Sequence, residues 1–193
     1  MEIIFRIIKE LEKELKRLYA QLSRSSELVK KLFSVEKYDI NKFSLFKEKI
    51  NMYDFLKKEI YHFSKNHAAI DFHISIGKDI WYADIDQVQF RQVIDNLMNN
   101  AIKFVDLNNP KIAFIVTSNK KNILIQVEDN GKGFEWWNIE NIFDKYFTEK
   151  TSSIWIGIGL YLCKRIVEFH EGKIKAGFSE KLGWAKFIIN IPK

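Results

Sequence analysis

The chain has 193 residues, of which 47% are hydrophobic and 15% aromatic, with eight glycines and two prolines. This composition is enough to bury a full core and excludes a chain that is mainly disordered, and no low-complexity stretch or fixed repeat indicates a linker or a solenoid. The formal charge of +6 arises from 31 basic and 25 acidic residues without a long block of one sign. We therefore expect a solvated surface and no nucleic-acid partner.

Cys163 is the single cysteine, which excludes a disulfide framework and a cysteine pair spaced for zinc. We therefore expect a reducing, cytoplasmic compartment. The apolar opening from Met1 to Ile8 is interrupted by Glu2 and Arg6, so it predicts neither a signal peptide nor a membrane span. No membrane contact by this chain is expected.

Residues 1–39 predict a long helix whose apolar side chains alternate spacings of four and three. The seam consists of Ile4, Ile8, Leu11, Leu15, Leu18, Leu22, Val29 and Leu32, with Ser25 at one of its positions. Such a stripe is typical of a coiled coil or helical bundle, and it is narrower than the face of a helix packed on its own domain. We predict self-association through this helix, with packing on the same chain as the alternative.

Beyond the long helix the pattern changes, and residues 40–193 are predicted to form a second domain. Residues 43–45 predict a short strand, and residues 46–65 predict a helix. The inward side of that helix would carry Ile50, Tyr53, Phe55, Leu56 and Ile60. Alternation in residues 70–76 and again in 80–83, with a glycine-bearing turn between them, predicts a β-hairpin.

The remaining elements complete an α+β fold. In chain order they are a helix at 86–104, strands at 111–118 and 122–128, a glycine-bearing turn at 129–134, an irregular segment at 135–156, a helix at 157–170, and strands at 172–178 and 184–191. Together they predict a sandwich with helices on one face of a mixed sheet.

The helix at 86–104 carries polar groups that suit a ligand. Asn96, Asn100 and Lys103 are spaced by four and three residues, so they project from one face. An amide oxygen such as that of Asn100 suits magnesium, and a lysine ammonium suits phosphate. The opposite flank is apolar and consists of Val93, Ile94, Leu97, Ala101 and Phe104. The alternative is a helix with an ordinary solvated polar face.

Two glycine-bearing motifs follow this helix. Asp129 stands at a strand end and is followed by two glycines, which permit close approach of the backbone to a ligand. A plain hairpin turn is the alternative, because Asn130-Gly131 is a strong turn dipeptide. Gly157 and Gly159 begin a helix, where free N–H groups and the helix dipole favour an anion.

The order and spacing of these elements resemble the GHKL ATP-binding family, and its histidine-kinase branch in particular. RQVIDNLMNNAIKF resembles the N box, DNGKGF the first glycine box, NIFDKYF the phenylalanine box and GIGLYLCKRIVEFHEGKI the second glycine box. The resemblance extends from about Ser25 to the end of the sequence. It implies a two-layer α/β sandwich of the Bergerat type, preceded by a long coiled-coil dimerisation helix.

The resemblance also implies roles in binding ATP and Mg²⁺. Asn100 would bind Mg²⁺, while Asn96 and Lys103 would act on the phosphates as catalytic residues. Phe104 would lie flat against adenine, and Asp129 would accept the adenine amino hydrogen. The other implied contacts are Gly131 and Gly133 near the base, Gly157, Gly159 and Leu160 at the phosphate end, and Lys145 as a further phosphate contact.

The segment LSRSSELVKKLFSVEKYDIN resembles the second helix of the kinase dimerisation domain. In the family that helix forms a four-helix bundle with its dimer mate, so the resemblance implies a homodimer. It also implies a response-regulator receiver domain as a partner. The chain would then be cytoplasmic, either alone or as the cytoplasmic part of a membrane-anchored sensor.

The sequence departs from the family pattern in two ways. It contains no His-Asp/Glu-x-Arg/Lys motif, so the chain is expected to be a truncated kinase or a subunit whose acceptor histidine lies on another chain. The four histidines, His62, His67, His73 and His170, are expected at the surface or in packing roles. Trp155 stands where the family has a glycine, and Trp136, Trp137 and Trp184 are also unexpected. In the family, a mobile lid lies over the phosphate end of the nucleotide site. These indoles would either pack on that lid or narrow the nucleotide pocket.

The implied function is transfer of the ATP γ-phosphate to a histidine on a dimerisation helix absent from this chain, for relay to an aspartate of a response regulator. Asn96 favours this branch, because family members that hydrolyse ATP usually place a glutamate there as a general base. Two alternatives stay open. One is a catalytically impaired regulatory or dimerisation module with a degenerate pocket, and the other is an anti-sigma-type serine kinase of the same superfamily.

Overall fold

The computed structural model describes residues 5–19, 21–22, 26, 44–77, 81–135, 139–147, 157–179 and 184–193. The chain divides into two compact units, Met1–Phe43 and Ser44–Lys193. The predicted domain boundary between residues 39 and 40 lies outside the described residues. Within the described ranges, every helix is too short or too polar to cross a bilayer.

The N-terminal unit contains helix α1, residues 5–19, which confirms the predicted helix over this range. Its apolar side chains are exposed, from 48% for Ile8 to 64% for Leu11. The seam residues Ile4, Val29 and Leu32 lie outside the described residues. The predicted self-association stays a prediction.

The C-terminal unit is an α+β sandwich, as predicted. Its elements are β1 (Glu48–Asn51), α2 (Met52–Asn66), β2 (Asp71–Ile76), β3 (Tyr82–Ile85), α3 (Gln87–Phe104), β4 (Lys111–Ser118), β5 (Asn122–Asp129), α4 (Gly159–Phe169), β6 (Lys173–Phe178) and β7 (Ala185–Pro192). Five strands form a mixed sheet in the order β2-β4-β5-β7-β6, and β1 and β3 form a separate two-stranded sheet. In the larger sheet only β2 and β4 run parallel.

The alternation in β5 shows why this sheet carries helices on one side. Ile123, Ile125 and Val127 are buried, whereas Leu124 and Gln126 between them are half-buried. Side chains alternate across a strand, so one face of the sheet is the more deeply covered. The core of the domain lies on that face.

Helix α3 begins after Asp86, whose Oδ1 accepts the N–H groups of Val88 and Gln89 at 3.1 Å each. Its buried side consists of Phe90, Val93, Ile94, Leu97, Met98 and Ala101. Burying a large aliphatic side chain of this kind stabilises the fold by about 1.5–3 kcal/mol. The apolar flank therefore fixes the rotation of the helix and with it the direction of the polar face.

Two predicted features near the start of this unit are wrong. The short strand lies at Glu48–Asn51, and helix α2 begins at Met52. The reason is Asn51, whose side chain accepts the N–H groups of Tyr53 and Asp54 and so caps the helix six residues later than predicted. Ile50 consequently lies in a strand and not on the helix.

The predicted hairpin of residues 70–76 and 80–83 is also wrong. Strand β2 pairs in parallel with β4, and β3 pairs antiparallel with β1. The parallel pair requires a long crossover, which α3 supplies. Alternation correctly identified two strands but contains no information on their partners.

Candidate functional site

The polar face of α3 meets the start of α4 at Asn96. A Cβ placed on Gly159 would lie 3.5 Å from Asn96 Oδ1 and 3.7 Å from its Cγ. The Asn96 Nδ2 is buried and finds no hydrogen-bond acceptor in the part of the chain that the structure describes. A buried donor of this kind costs free energy unless a ligand atom satisfies it. A phosphate oxygen at the start of α4 would be such a partner.

Two further contacts along α3 and α4 hold these helices antiparallel to each other. Cys163 Sγ lies 3.8 Å from the carbonyl oxygen of Val93. At the far end, the Asp86 N–H donates to His170 Nε2 at 3.0 Å, and His170 Nδ1 lies 2.7 Å from the carbonyl oxygen of Ile166. His170 is therefore neutral with its proton on Nδ1. The largest influence on the pKa of His170 is burial, which lowers it.

The glycine turn after β5 packs against the other end of α3. A Cβ placed on Gly131 would lie 1.9 Å from the carbonyl oxygen of Phe104, so only glycine fits. The Gly131 N–H donates to Asp129 Oδ1 at 3.0 Å. These contacts bring the carboxylate, the turn and the end of the helix together.

Asp129 is a perturbed acid, with only 3% of its surface exposed. Burial raises its pKa from 3.8 to about 6, and the hydrogen bond from Gly131 opposes that rise. Within the described part of the chain Gly131 is the donor to this carboxylate, which leaves acceptor capacity for a ligand N–H. Asp129, at the strand end predicted from the sequence, is thus an acid whose pKa lies above its ordinary value.

Phe104 and Lys103 lie beside the turn. The Phe104 side chain is 39% exposed although large and apolar. The Nζ of Lys103 lies 4.4 Å from the centroid of the Phe104 ring. The backbone of Phe104 meets the turn that carries the buried carboxylate, and an exposed ring at this end of α3 suits a flat ligand with a polar edge.

The second glycine of the turn and the phenylalanine-rich segment share an aromatic cluster. Gly133 has φ +73°, and a Cβ on it would meet the ring of Phe178 at 2.9 Å. The Phe134 ring lies 5.2 Å from that of Phe187, which lies 6.3 Å from that of Phe143. These contacts hold the rings of Phe134 and Phe143 against Phe187 in strand β7.

The same segment is tied to the start of α4. The Tyr146 N–H donates to the carbonyl oxygen of Gly157 at 3.1 Å. Both residues have positive φ, +69° and +66°. A Cβ on Gly157 would lie 2.2 Å from the carbonyl oxygen of Phe147, so the close approach requires glycine.

Lys145 lies between two tyrosines. Its Nζ is 5.4 Å from the ring centroid of Tyr146 and 6.0 Å from that of Tyr161, in the first turn of α4. Sequence reasoning did not single out Tyr161, and only its place next to Leu160 could have indicated it. Cation–π contacts of this kind restrict where the ammonium group lies.

Sequence reasoning also treated Asn130 only as part of a turn. Its Oδ1 accepts the Lys111 N–H at 2.9 Å, and its Nδ2 donates to the carbonyl oxygen of Asn109 at 2.7 Å. Its own N–H donates to the carbonyl oxygen of Lys111 at 3.2 Å. The Asn-Gly dipeptide was the available signal, but it does not indicate which segment the side chain binds.

The structure brings most predicted site residues into two groups along α3. Asn96, Gly157, Gly159 and Lys145 form a group at the middle of α3, and Lys103, Phe104, Asp129 and Gly131 form a group at its C-terminal end, with Gly133 two residues further along the turn. Asn96 and Phe104 are eight residues apart, which is roughly 12 Å along a helix. Asn100 is half-buried between them, and Leu160 is half-buried in α4.

The described residues contain no group of three or more His, Cys, Asp or Glu side chains that could hold a metal ion. Trp136, Trp137 and Trp155 lie outside the described residues. Trp184 is half-buried, and its carbonyl oxygen accepts the Ser179 N–H at 2.8 Å. Of the histidines, His62 and His73 are exposed, and His67 Nδ1 lies 3.0 Å from the carbonyl oxygen of Phe63.

The chain resembles known proteins in its sequence and in its fold. Residues 85–193 match the family model described as histidine kinase-, DNA gyrase B- and HSP90-like ATPase. The sequence is similar to the sensor protein KdpD of Clostridium acetobutylicum, with 32% identity over 173 residues, which are 86% of this chain and 19% of that protein. The chain therefore spans about a fifth of the length of that relative.

Solved structures share the fold. The catalytic domain of the histidine kinase ThkA aligns with a TM-score of 0.68 and 26% identity, covering 77% of this chain and 97% of that one. ThkA in complex with the response regulator protein TrrA aligns with a TM-score of 0.70 and 24% identity, covering 87% of this chain and 48% of that one. The second likeness shows the fold alone.

Proposed function

Because the chain belongs to the histidine kinase-, DNA gyrase B- and HSP90-like ATPase family, we propose that its C-terminal unit is the catalytic region of a sensor histidine kinase. It would bind Mg-ATP and transfer the γ-phosphate to a histidine on a dimerisation helix absent from this sequence. A response regulator aspartate would then receive the phosphate. The observation that carries this proposal is the pair of contact points on α3, Asn96 with Gly159 and Phe104 with Gly131.

At the Phe104 end the site suits adenine. The buried carboxylate of Asp129 accepts the hydrogen of the adenine amino group, and the exposed face of the Phe104 ring packs against the base. Gly131 and Gly133 leave the backbone without a Cβ where the base approaches. A guanine in the same place would present a carbonyl oxygen to the carboxylate, so adenine is preferred.

At the Asn96 end the site suits phosphates. The unsatisfied Nδ2 of Asn96 donates to a phosphate oxygen, and the N–H groups of Gly157, Gly159 and Leu160 at the start of α4 do the same. Lys145 supplies positive charge at this end, and Lys103, whose Nζ lies over the Phe104 ring, supplies it from the side of the base. Asn100 lies between the two ends of the site, and its amide oxygen would hold Mg²⁺ there.

The chemistry then depends on position and charge. Bound Mg²⁺ neutralises negative charge on the phosphates during transfer. The chain's own donors hold the phosphates in line with an attacking imidazole, which is itself the nucleophile and needs no general base. Asn96 is consistent with this role, since an amide cannot activate water as a glutamate would.

The partners follow from α1 and from the structural relatives. Exposed apolar residues along α1, such as Leu11, Leu15 and Leu18, would be covered by the helix of a second copy. Sedimentation of the full chain should therefore give a dimer. As the protein that carries the receiving aspartate, a response regulator with its receiver domain is the second proposed partner; ThkA is a kinase of known structure in complex with a response regulator protein, TrrA.

Incubation with labelled ATP and Mg²⁺ tests the proposed function directly. The acceptor is a separate dimerisation-helix fragment that carries the histidine motif, and the control is the same fragment with the histidine replaced by glutamine. We expect label on the first fragment only. Nucleotide binding without transfer would instead support the regulatory module with a degenerate pocket.

A further inference from the structure

Asn130 directs its backbone N–H and both polar atoms of its side chain to the segment that leads into β4. The regular ladder between β4 and β5 ends at the pair Ile112 and Asp129. Beyond it, Asn130 donates from its N–H to the carbonyl oxygen of Lys111 at 3.2 Å and accepts the Lys111 N–H on Oδ1 at 2.9 Å. Its Nδ2 donates to the carbonyl oxygen of Asn109 at 2.7 Å. The side chain thus extends the ladder by one residue and binds the connection from α3.

This attachment holds Asp129, the acid of the site. Asp129 precedes Asn130, and Gly131 follows it. The Gly131 N–H donates to Asp129 Oδ1, and the Gly131 backbone packs against the carbonyl oxygen of Phe104. Because Asn130 joins the two residues, its side chain determines where both lie relative to the end of α3.

We propose that Asn130 is a positioning residue that sets the base specificity of the nucleotide site, by holding Asp129 where its carboxylate meets the adenine amino group. This inference rests on the proposed function. Asn130 itself touches no nucleotide, since its polar groups are bound to Lys111 and Asn109. Its loss should therefore weaken recognition of the amino group and leave the phosphate end unchanged.

Asn119 provides a matched control. It lies at the opposite end of the same β4–β5 hairpin, where its Oδ1 accepts the N–H groups of Lys121 and Asn122 at 2.9 Å each. Replacing Asn119 with alanine also removes two hydrogen bonds, but at the end of the hairpin that is opposite to Asp129. Its effect on stability should resemble that of Asn130→Ala, which urea unfolding of both variants measures.

The experiment compares two ligands at pH 8 by calorimetry. One is ADP, and the other is the diphosphate of purine riboside, which lacks the 6-amino group. Asn130→Ala should weaken ADP binding about tenfold, as for loss of a well-placed charged hydrogen bond, and change binding of the analogue less than about twofold. Asn119→Ala should change neither. In an Asp129→Asn background, Asn130→Ala should lose its effect on ADP.

Equal losses for both ligands would show a merely structural role and overturn the inference, as would unchanged ADP binding. Should the alanine variant not fold, Asn130→Asp keeps the acceptor for Lys111 and loses the donor to Asn109. The same selective loss for ADP is expected of it, at smaller size. A native chain that binds neither ligand would contradict the proposed function itself.

Discussion

Lowering the pH should weaken nucleotide binding through a single carboxyl group. Burial raises the pKa of Asp129 to about 6, so about 99% of the group is ionised at pH 8 and about 10% at pH 5. If only the carboxylate accepts the adenine amino hydrogen, the dissociation constant for ADP rises about tenfold between these values, or about 1.4 kcal/mol. Calorimetric titrations at several pH values measure this change.

The variant Asp129→Asn separates this effect from titration of the phosphates. Its binding should be weaker at pH 8 by about 1–3 kcal/mol, as for a charge-assisted hydrogen bond. Because phosphate titration is common to both proteins, the ratio of their dissociation constants isolates the carboxyl group. That ratio should shrink as the pH falls through 6, and a ratio independent of pH would refute the assignment of Asp129.

The same pKa predicts an opposite effect on the stability of the free protein. The folded-state pKa of Asp129 lies above the unfolded value of 3.8. The folded state therefore binds more protons than the unfolded state between these two values, and this group makes the protein less stable as the pH rises through that window. Adenine binding favours the ionised form, so near pH 6 it should release protons, which titrations in buffers of different ionisation enthalpy detect.

Three further predictions concern residues in α3 or in contact with it. Asn100→Ala should abolish the effect of Mg²⁺ on nucleotide affinity in calorimetry, whereas the exposed neighbour Asn99→Ala should not change it. Gly131→Ala should cost about 1–3 kcal/mol of unfolding free energy and weaken ADP binding, whereas Gly177→Ala, where nothing lies within 4 Å of the new Cβ, should cost less than about 0.5 kcal/mol; equal costs would contradict the packing described. Because burial lowers the pKa of His170, the unfolded chain gains a proton first as the pH falls below 6.5, and urea unfolding should show a stability loss that His170→Gln reduces.

The sequence predicted those elements whose signals are local. Helix α3 has an aspartate cap and a long apolar stripe, and β4 and β5 are joined by a turn that Asn119 closes, so their bounds agree with the structure to within a residue. Strand β2 shows the limit of this reasoning. Its alternation indicates a strand, but the strand is largely exposed, and its partner lies beyond a crossover that no local pattern encodes.

The features of the site divide in the same way, into those that local sequence signals predict and those that depend on the folded chain. Asn96, Asp129 and Gly131 could be selected from motif and spacing, because their chemistry lies in the residue type. The raised pKa of Asp129 could not be predicted, since it depends on burial by segments distant in the sequence. The contacts of Asn130 with Asn109 and of Lys145 with Tyr161 are likewise products of the folded chain.

The most direct test of the account is an NMR titration of the ¹⁵N-labelled chain with a non-hydrolysable ATP analogue and Mg²⁺. One nucleotide lying along α3 should shift the side-chain amides of Asn96 and Asn100 together with the backbone amides of Gly131 and Gly159. All four signals should saturate with one dissociation constant. Shifts confined to the Asn96 group or to the Phe104 group, or different constants for the two groups, would contradict the claim that both bind the same nucleotide.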